Sequence, residues 1–264
     1  SYFPPEKTKE LLSNYRKITG HIMASLLGVV TPFCSCSSVP IFIGFVESGI
    51  PLGITFSFLI TSPIVNEVAL VMLYTIFGWK IGTLYLASGI LVGIVGGIVI
   101  EALGMEEHVE EYVYEISSGE SEVEELDWSD RIDFAKQEVK EIVSRVWKYV
   151  IIGIGIGAAI HGYAPAELLA DYAGANNPLS VIAAVIVGIP LYANAVGTIP
   201  IVEALMGKGV ALGTALSFMM ATTALSLPAM VILRKVIKPK LITVFVTVVG
   251  ISIIGVGYMF NFVM

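Results

Sequence analysis

From residue 18 onward the chain alternates apolar runs too short to cross a bilayer with runs that are long enough. Residues 18–31 are apolar for about 14 positions, or roughly 21 Å at helical rise, against a hydrocarbon core of about 30 Å. The string Pro32-Phe33-Cys34-Ser35-Cys36-Ser37-Ser38 stops this run, and a second short one, 39–46, ends at Glu47. Together they predict a re-entrant hairpin. A long apolar segment, 51–77, follows with an interruption at Thr61-Ser62-Pro63-Ile64-Val65-Asn66-Glu67, and 81–103 spans without a break. The order then returns. Run 179–189 breaks at Pro190-Leu191-Tyr192-Ala193-Asn194 and resumes over 199–206. Segment 210–233 is interrupted at Thr222-Thr223-Ala224-Leu225-Ser226-Leu227-Pro228, and 241–263 spans cleanly. Proline in an apolar span frees carbonyls that lipid cannot satisfy, so both interruptions should face protein or a wet cavity.

Individual residues recur with the pattern. Gly28, Pro40, Ile41, Gly49, Leu52, Gly53, Ser57 and Phe58 match Gly188, Pro200, Ile201, Gly209, Leu212, Gly213, Ser217 and Phe218 at an offset of 160 positions, without a gap. The register continues through Lys80, Thr83 and Gly97, which meet Lys240, Thr243 and Gly257. Two apolar halves with Gly and Pro interrupting corresponding segments are the pattern of secondary transporters built from structural repeats. Glycines 89, 93, 96 and 97 suggest close helix packing. A further span at 146–162 leads into the second half. Its counterpart would precede residue 1, so an N-terminal span is expected to be missing from the first repeat.

Charge sets the orientation. Arg234, Lys235, Lys238 and Lys240 crowd one short loop, whereas 164–178 holds no Lys or Arg, which predicts opposite sides of the membrane for the two. A hairpin that returns to its own side, followed by one spanning segment, supplies the odd number of crossings this requires. Residues 1–17, an amphipathic lead-in with Lys7, Lys9, Arg16 and Lys17, align with the Lys-poor loop, so the halves should be inverted. The expected fold is an all-α integral membrane protein of two inverted repeats, each holding a re-entrant helical hairpin and a broken spanning helix. Residues 1–104 form the first repeat, 105–144 an acidic loop, and 145–264 the second repeat. The lead-in, the acidic loop and 234–240 are expected on the cytoplasmic side of a cell membrane.

Composition agrees with a bilayer as solvent, with 56% hydrophobic and 14% charged residues. The formal net charge of -7 carries little information about a binding surface, because fourteen of the 22 acidic residues lie between Glu106 and Glu141. Helices are expected there over 106–116 and 128–143. A soluble partner at this loop and self-association stay open; a nucleic-acid partner is not expected. No Gly-x-x-x-x-Gly-Lys-Ser/Thr loop occurs, so neither ATP hydrolysis nor a bound cofactor is expected.

Inverted hairpins bring their tips to the bilayer midplane, where the broken spans have their gaps. Cys34, Ser35, Cys36 and Ser37 from one tip should meet Asn194 and Thr198 from the other, with Asn66, Glu67, Thr222 and Thr223 nearby, as a binding site for a small molecule or ion. Serine and threonine also serve as small packing residues in membrane helices. Glu67 is the only acidic residue well inside a predicted span, expected to be buried, and such a carboxyl group is a candidate proton carrier or a partner for backbone freed near Pro63. His21 and His161 sit near predicted interfaces, where structural roles suffice. Cys34 and Cys36 admit three readings: soft ligands for a metal or metalloid, a dithiol–disulfide couple that would make the chain an intramembrane thiol oxidoreductase with both as catalytic residues, or packing.

The string Thr31-Pro32-Phe33-Cys34-Ser35-Cys36-Ser37-Ser38-Val39-Pro40-Ile41, with Gly49-Ile50-Pro51-Leu52-Gly53 and the break at residues 61–67, resembles the UPF0718 (YraQ-like) predicted permeases, relatives of the ArsP arsenical permeases. Gly188-Ile189-Pro190-Leu191-Tyr192-Ala193-Asn194, Pro200-Ile201 and Lys208-Gly209-Val210 are similar to the same family. The resemblance covers the chain outside the acidic loop and implies a polytopic permease, with export of trivalent organoarsenicals in one branch. Cys34 and Cys36 match the family's cysteine motif. With one pair only, a third sulfur ligand for trivalent arsenic would come from a substrate thiol or a second subunit.

Overall fold

In the computed structural model, which describes residues 17–31, 35–47, 49–110, 151, 179–191, 193, 195–234 and 236–263, the apolar runs fold as helices. They are α1 (Lys17–Val30), α2 (Ser35–Glu47), α3 (Leu52–Ile64), α4 (Glu67–Phe77) and α5 (Trp79–Ala102), then α6 (Ser180–Gly188), α7 (Ala195–Gly207), α8 (Leu212–Ala224), α9 (Leu227–Leu233) and α10 (Pro239–Val263). Among the described residues the other regular features are a 3-10 turn, Glu106–His108, and one isolated antiparallel bridge between Val109 and Ile237. Helices Trp79–Ala102, Leu212–Leu233 and Pro239–Val263 are long and apolar enough to cross a membrane, and the pair α3 and α4, bent by 48°, makes up to a fourth span. The chain is a multi-pass α-helical membrane protein.

Several close contacts within the first five helices have a counterpart, 160 positions on, within the last five. Helix α1 lies along α3 in the same direction: His21 meets Ser57, and a Cβ on Gly28 would stand 3.1 Å from the Ser62 nitrogen and 3.2 Å from the Phe58 carbonyl oxygen. At the offset of 160, a Cβ on Gly188 would stand 2.9 Å from the Ala221 Cβ and 3.3 Å from the Phe218 oxygen. Helix α5 runs back against α3, with Gly97 over Ser57 and the Gly53 carbonyl, and α10 runs back against α8, with Gly257 over Ser217 and the Gly213 carbonyl. These glycines let backbones approach to contact, which dispersion between helices in lipid requires. Helix α2 returns along α3, from the Ser38–Ser62 hydroxyl pair at 3.1 Å to the Phe45–Phe58 ring contact at 5.3 Å.

Identical turns close the second arms. Gly49 (φ 74°) and Gly209 (φ 86°) take left-handed conformations, as glycine does just past a helix end. The Gly49 and Ile50 amides donate to Val46 and Phe45 carbonyls at 2.9 and 3.1 Å, and the Gly209 and Val210 amides to Met206 and Leu205 at the same distances. Between the halves the pairings are reciprocal: α2 packs on α9 and α7 on α4, while α3 meets α8 and α5 meets α10. The Phe56–Phe245 contact at 5.6 Å lies on this seam.

Three expectations need correction. The break expected over 32–38 is shorter, because α2 begins at Ser35 and takes Cys36, Ser37 and Ser38 into its first turn. The second interruption does not bend its span as the first does. Pro63 sits inside the last turn of α3, whereas Pro228 sits in the first turn of α9, where its missing N–H has no helical partner to lose. Over residues 106–110 the helix expected for 106–116 gives way to the Glu106–His108 turn and an extended Val109, because backbone there pairs with the opposite loop, and 111–116 lie outside the described residues. The Glu110 amide donates to Val236 and the Lys238 amide to His108, at 2.9 and 2.8 Å, and Arg234 reaches Glu110 at 3.5 Å. The end of α5 and the start of α10 therefore lie together. The segments expected at 1–16, 128–143 and 146–162 fall outside the described residues.

Candidate functional site

Each interrupted span is tied to the short helices that precede it. In the first half, Val65 donates to the Thr61 carbonyl at 2.9 Å, and the Tyr85 hydroxyl donates to the Ile64 carbonyl at 2.9 Å, so a carbonyl at the break is satisfied inside the protein. Asn66 is extended (φ −96°, ψ 134°) and caps α4, its Oδ1 accepting from Val68 and Ala69 amides at 3.0 and 3.2 Å. Ser62, just before the break, faces Ser38 of α2. In the second half, the Leu227 amide donates to the Ile189 carbonyl at 3.1 Å, joining the gap between α8 and α9 to the end of α6.

The site residues expected from the sequence separate into groups. Cys34 and Asn194 lie outside the described residues, and Ser35, Cys36 and Ser37 occupy the first turn of α2. Thr198 is fully buried in the first turns of α7, the helix that packs on α4. Thr222 and Thr223 are buried near the end of α8 and donate to the Met219 carbonyl at 2.9 Å each, which leaves their lone pairs as acceptors. Glu67 is exposed, against the expectation of burial. The buried face of α4 is Ala69 and Leu73, one turn apart, and Glu67 points off that face; in the first turn its charge suits the helix dipole.

Sequence reasoning passed over two features. Ser226 stands at the offset position of Asn66, just before α9, yet makes no capping bond; its Oγ is buried and unpartnered. An inward hydroxyl at the break adds to the candidate ligands. The other feature is a polar cluster at the far end of α1. His21 is 1% exposed, with Nδ1 2.8 Å from Ser57 Oγ and Nε2 3.0 Å from Glu101 Oε2. Among the described residues, no three His, Cys, Asp or Glu side chains gather as a metal site.

A UPF0718 protein of Methanocaldococcus jannaschii is 23% identical over 300 residues, covering 92% of this chain and 82% of its own. The UPF0718 protein YraQ of Escherichia coli is 23% identical over 245 residues, covering 91% and 67%. A Streptococcus mutans protein, described as a candidate two-component membrane permease complex subunit, is 27% identical over 188 residues, covering 69% and 59%. No solved structure matches. The family model ArsP_1, described as predicted permease, matches residues 1–262, and the chain belongs to that family of permeases.

Proposed function

We propose that the chain is a secondary permease that moves a small thiophilic solute, or a metal or metalloid species, by alternating access around a midplane site between two inverted hairpins. The observation that carries this reading is the opposed course of equivalent helices. Helix α5 ends beside the loop 104–110, where Lys238 and the start of α10 also lie, so the two matched spans run in opposite directions. The α1–α2 hairpin starts and finishes at that end, near Glu101, while Ser180, Gly213 and Asn261 gather at the other end of α10. An opposed course of this kind is what the inverted-repeat plan of secondary transporters calls for, and it supports the reading.

The ligands in this reading are Cys34, Ser35, Cys36 and Ser37 from the first tip, Asn194 and Thr198 from the second, and Asn66, Thr222, Thr223 and Ser226 from the breaks. A soluble partner bound at 105–144 belongs to the same proposal, in line with the complex subunit among its relatives. The test is flux in liposomes holding the full chain, across a panel of soft metal ions, trivalent arsenicals and small sulfur compounds. Saturable flux of at least one member is expected; folded protein that moves none of them overturns the reading.

The same liposomes decide whether Glu67 carries protons. Glu67→Gln keeps the shape and removes the titrating group, so flux should lose its response to a pH gradient while the protein stays folded. An unchanged response takes Glu67 out of the mechanism.

A further inference from the structure

The geometry points to His21 and Glu101 as a proton-exchange pair that ties the first arm of the α1–α2 hairpin to the end of α5. Nothing in the midplane site requires it, and it lies at the other end of α1. His21 is enclosed between α3 and α5, and its two ring nitrogens reach Ser57 Oγ and Glu101 Oε2. Ser57 Oγ also lies 3.3 Å from the Gly53 carbonyl, to which it donates. With its hydrogen so placed, the serine accepts from Nδ1–H, and Nε2 becomes the nitrogen that shares a proton with Glu101. The imidazole is closed off, but the Glu101 side chain is 20% exposed. Water therefore reaches the carboxylate, and the carboxylate reaches the ring.

The second half of the chain separates packing from chemistry. At the offset of 160, His21, Ser57, Gly97 and Glu101 correspond to Val181, Ser217, Gly257 and Asn261. The glycine sits over the serine and over the first residue in both halves, and a Cβ on Gly257 would stand 2.6 Å from Val181 Cγ1 as one on Gly97 would stand 2.9 Å from His21 Nδ1. Asn261 takes the role of a neutral cap, its Oδ1 accepting from the Gly213 amide at 2.8 Å. Valine and asparagine thus suffice to build this junction. The ionisable pair is an addition made in one half only.

Titratable groups stand on several of the elements packed around the pair. Helix α3 carries none; on α5, Lys80 and Tyr85 lie toward the opposite end; α10, which packs on α5, carries Lys240 and Tyr258; Lys17 stands at the start of α1, and α2 carries Cys36 and Glu47. One proton taken up or released changes the charge of a buried pair that holds α1 against two neighbours, and α1 leads directly to the Cys34 tip. The pair is therefore placed to make the arm's attachment respond to pH. What that movement accomplishes rests on the permease reading; the proton exchange does not.

The test uses the full chain in lipid nanodiscs with 15N-labelled histidine, and needs no transported solute. The chain has three histidines, and His21→Gln identifies one set of imidazole signals. Those signals should change charge state in a single step within the pH range over which the protein stays folded, and the step should move by about one pH unit or more in Glu101→Gln. Amide exchange over residues 17–30, corrected for its intrinsic pH dependence, should differ about fivefold across the same step, and the difference should vanish in either variant. The double variant His21→Val with Glu101→Asn copies the junction of the second half, so it is expected to fold and to lack both responses. A His21 signal that holds one charge state throughout, a step indifferent to Glu101→Gln, or amide exchange that ignores the step overturns the proposal. Absence of flux in the liposome panel would instead count against the permease reading and leave these measurements standing.

Discussion

Leucine at position 97 or at position 257 is expected to abolish recovery of folded protein, while Ala at position 255 leaves it intact. The contrast comes from two neighbouring positions on one helix. A Cβ on Gly257 would collide with Ser217 Oγ and Val181 Cγ1, whereas one on Gly255 meets nothing within 4 Å. Gly97 is as confined, with the Gly53 carbonyl oxygen 2.5 Å from its Cβ position and Ser57 closer still. Backbone cannot step aside as a flexible side chain can, so α5 must leave α3, and α10 must leave α8. Overpacking of one methyl group costs about 1–3 kcal/mol even where neighbours yield. A leucine adds three more carbons to a contact that does not. Gly255→Ala should instead be neutral or stabilising by up to roughly 1 kcal/mol, from helix propensity alone. Size-exclusion profiles and melting temperatures in one detergent check all three. Folded, unshifted Gly97→Leu and Gly257→Leu proteins would show that the close approach of these helices is not required.

The matched confinement of positions 97 and 257 is legible in the sequence alone, because glycine and serine recur together 160 positions apart and each pair must be small for the same reason. Helix bounds were readable for a related cause. Runs such as 18–31 are bounded by Pro32 or by glycine, and the observed α1 ends at Val30. The start of α2 was not readable, since Ser35, Cys36 and Ser37 have weak preferences and a helix's first turn tolerates them. Residues 106–110 misled because their Glu-rich composition favours helix, while the Val236 carbonyl and the Lys238 amide offered extended backbone a partner. Tertiary pairing overrode local propensity there.

The polar cluster was missed for a different reason. His21 and Glu101 are 80 residues apart, and neither lies in a motif. The usable signal was the offset itself: at Asn261 and Glu101 both halves place a polar side chain at the end of a long apolar helix, on the register of Gly97 and Gly257. Glu67 shows the converse error. Its position inside an apolar run suggested burial, but a broken span supplies a new helix start, and a carboxylate in a first turn can point outward.

Both cysteines should react with N-ethylmaleimide, and a transported soft ion should slow that reaction. The expectation follows from the first turn of α2: Cys36 lies in the turn that also holds Ser38, and Ser38 meets Ser62 four residues before Asn66, so this turn stands near the break that the proposed path crosses. Substitution then separates the chemistries. If the sulfurs are ligands, Cys34→Ser and Cys36→Ser should each weaken binding of a soft ion by about tenfold or more, because a hydroxyl is a poor substitute for a thiolate. If they form a dithiol–disulfide couple, either single substitution should abolish electron exchange, since the bridge needs both atoms. Flux is the second discriminator: transport that persists in permanently reduced protein favours ligation, and a strict need for oxidation and reduction favours the oxidoreductase. Wild-type flux and thiol exchange in the double serine variant would leave the two residues as packing, and the transported solute would then have to be held by Asn66, Asn194, Thr198, Thr222 and Thr223, with the Ser226 hydroxyl turned inward at the second break.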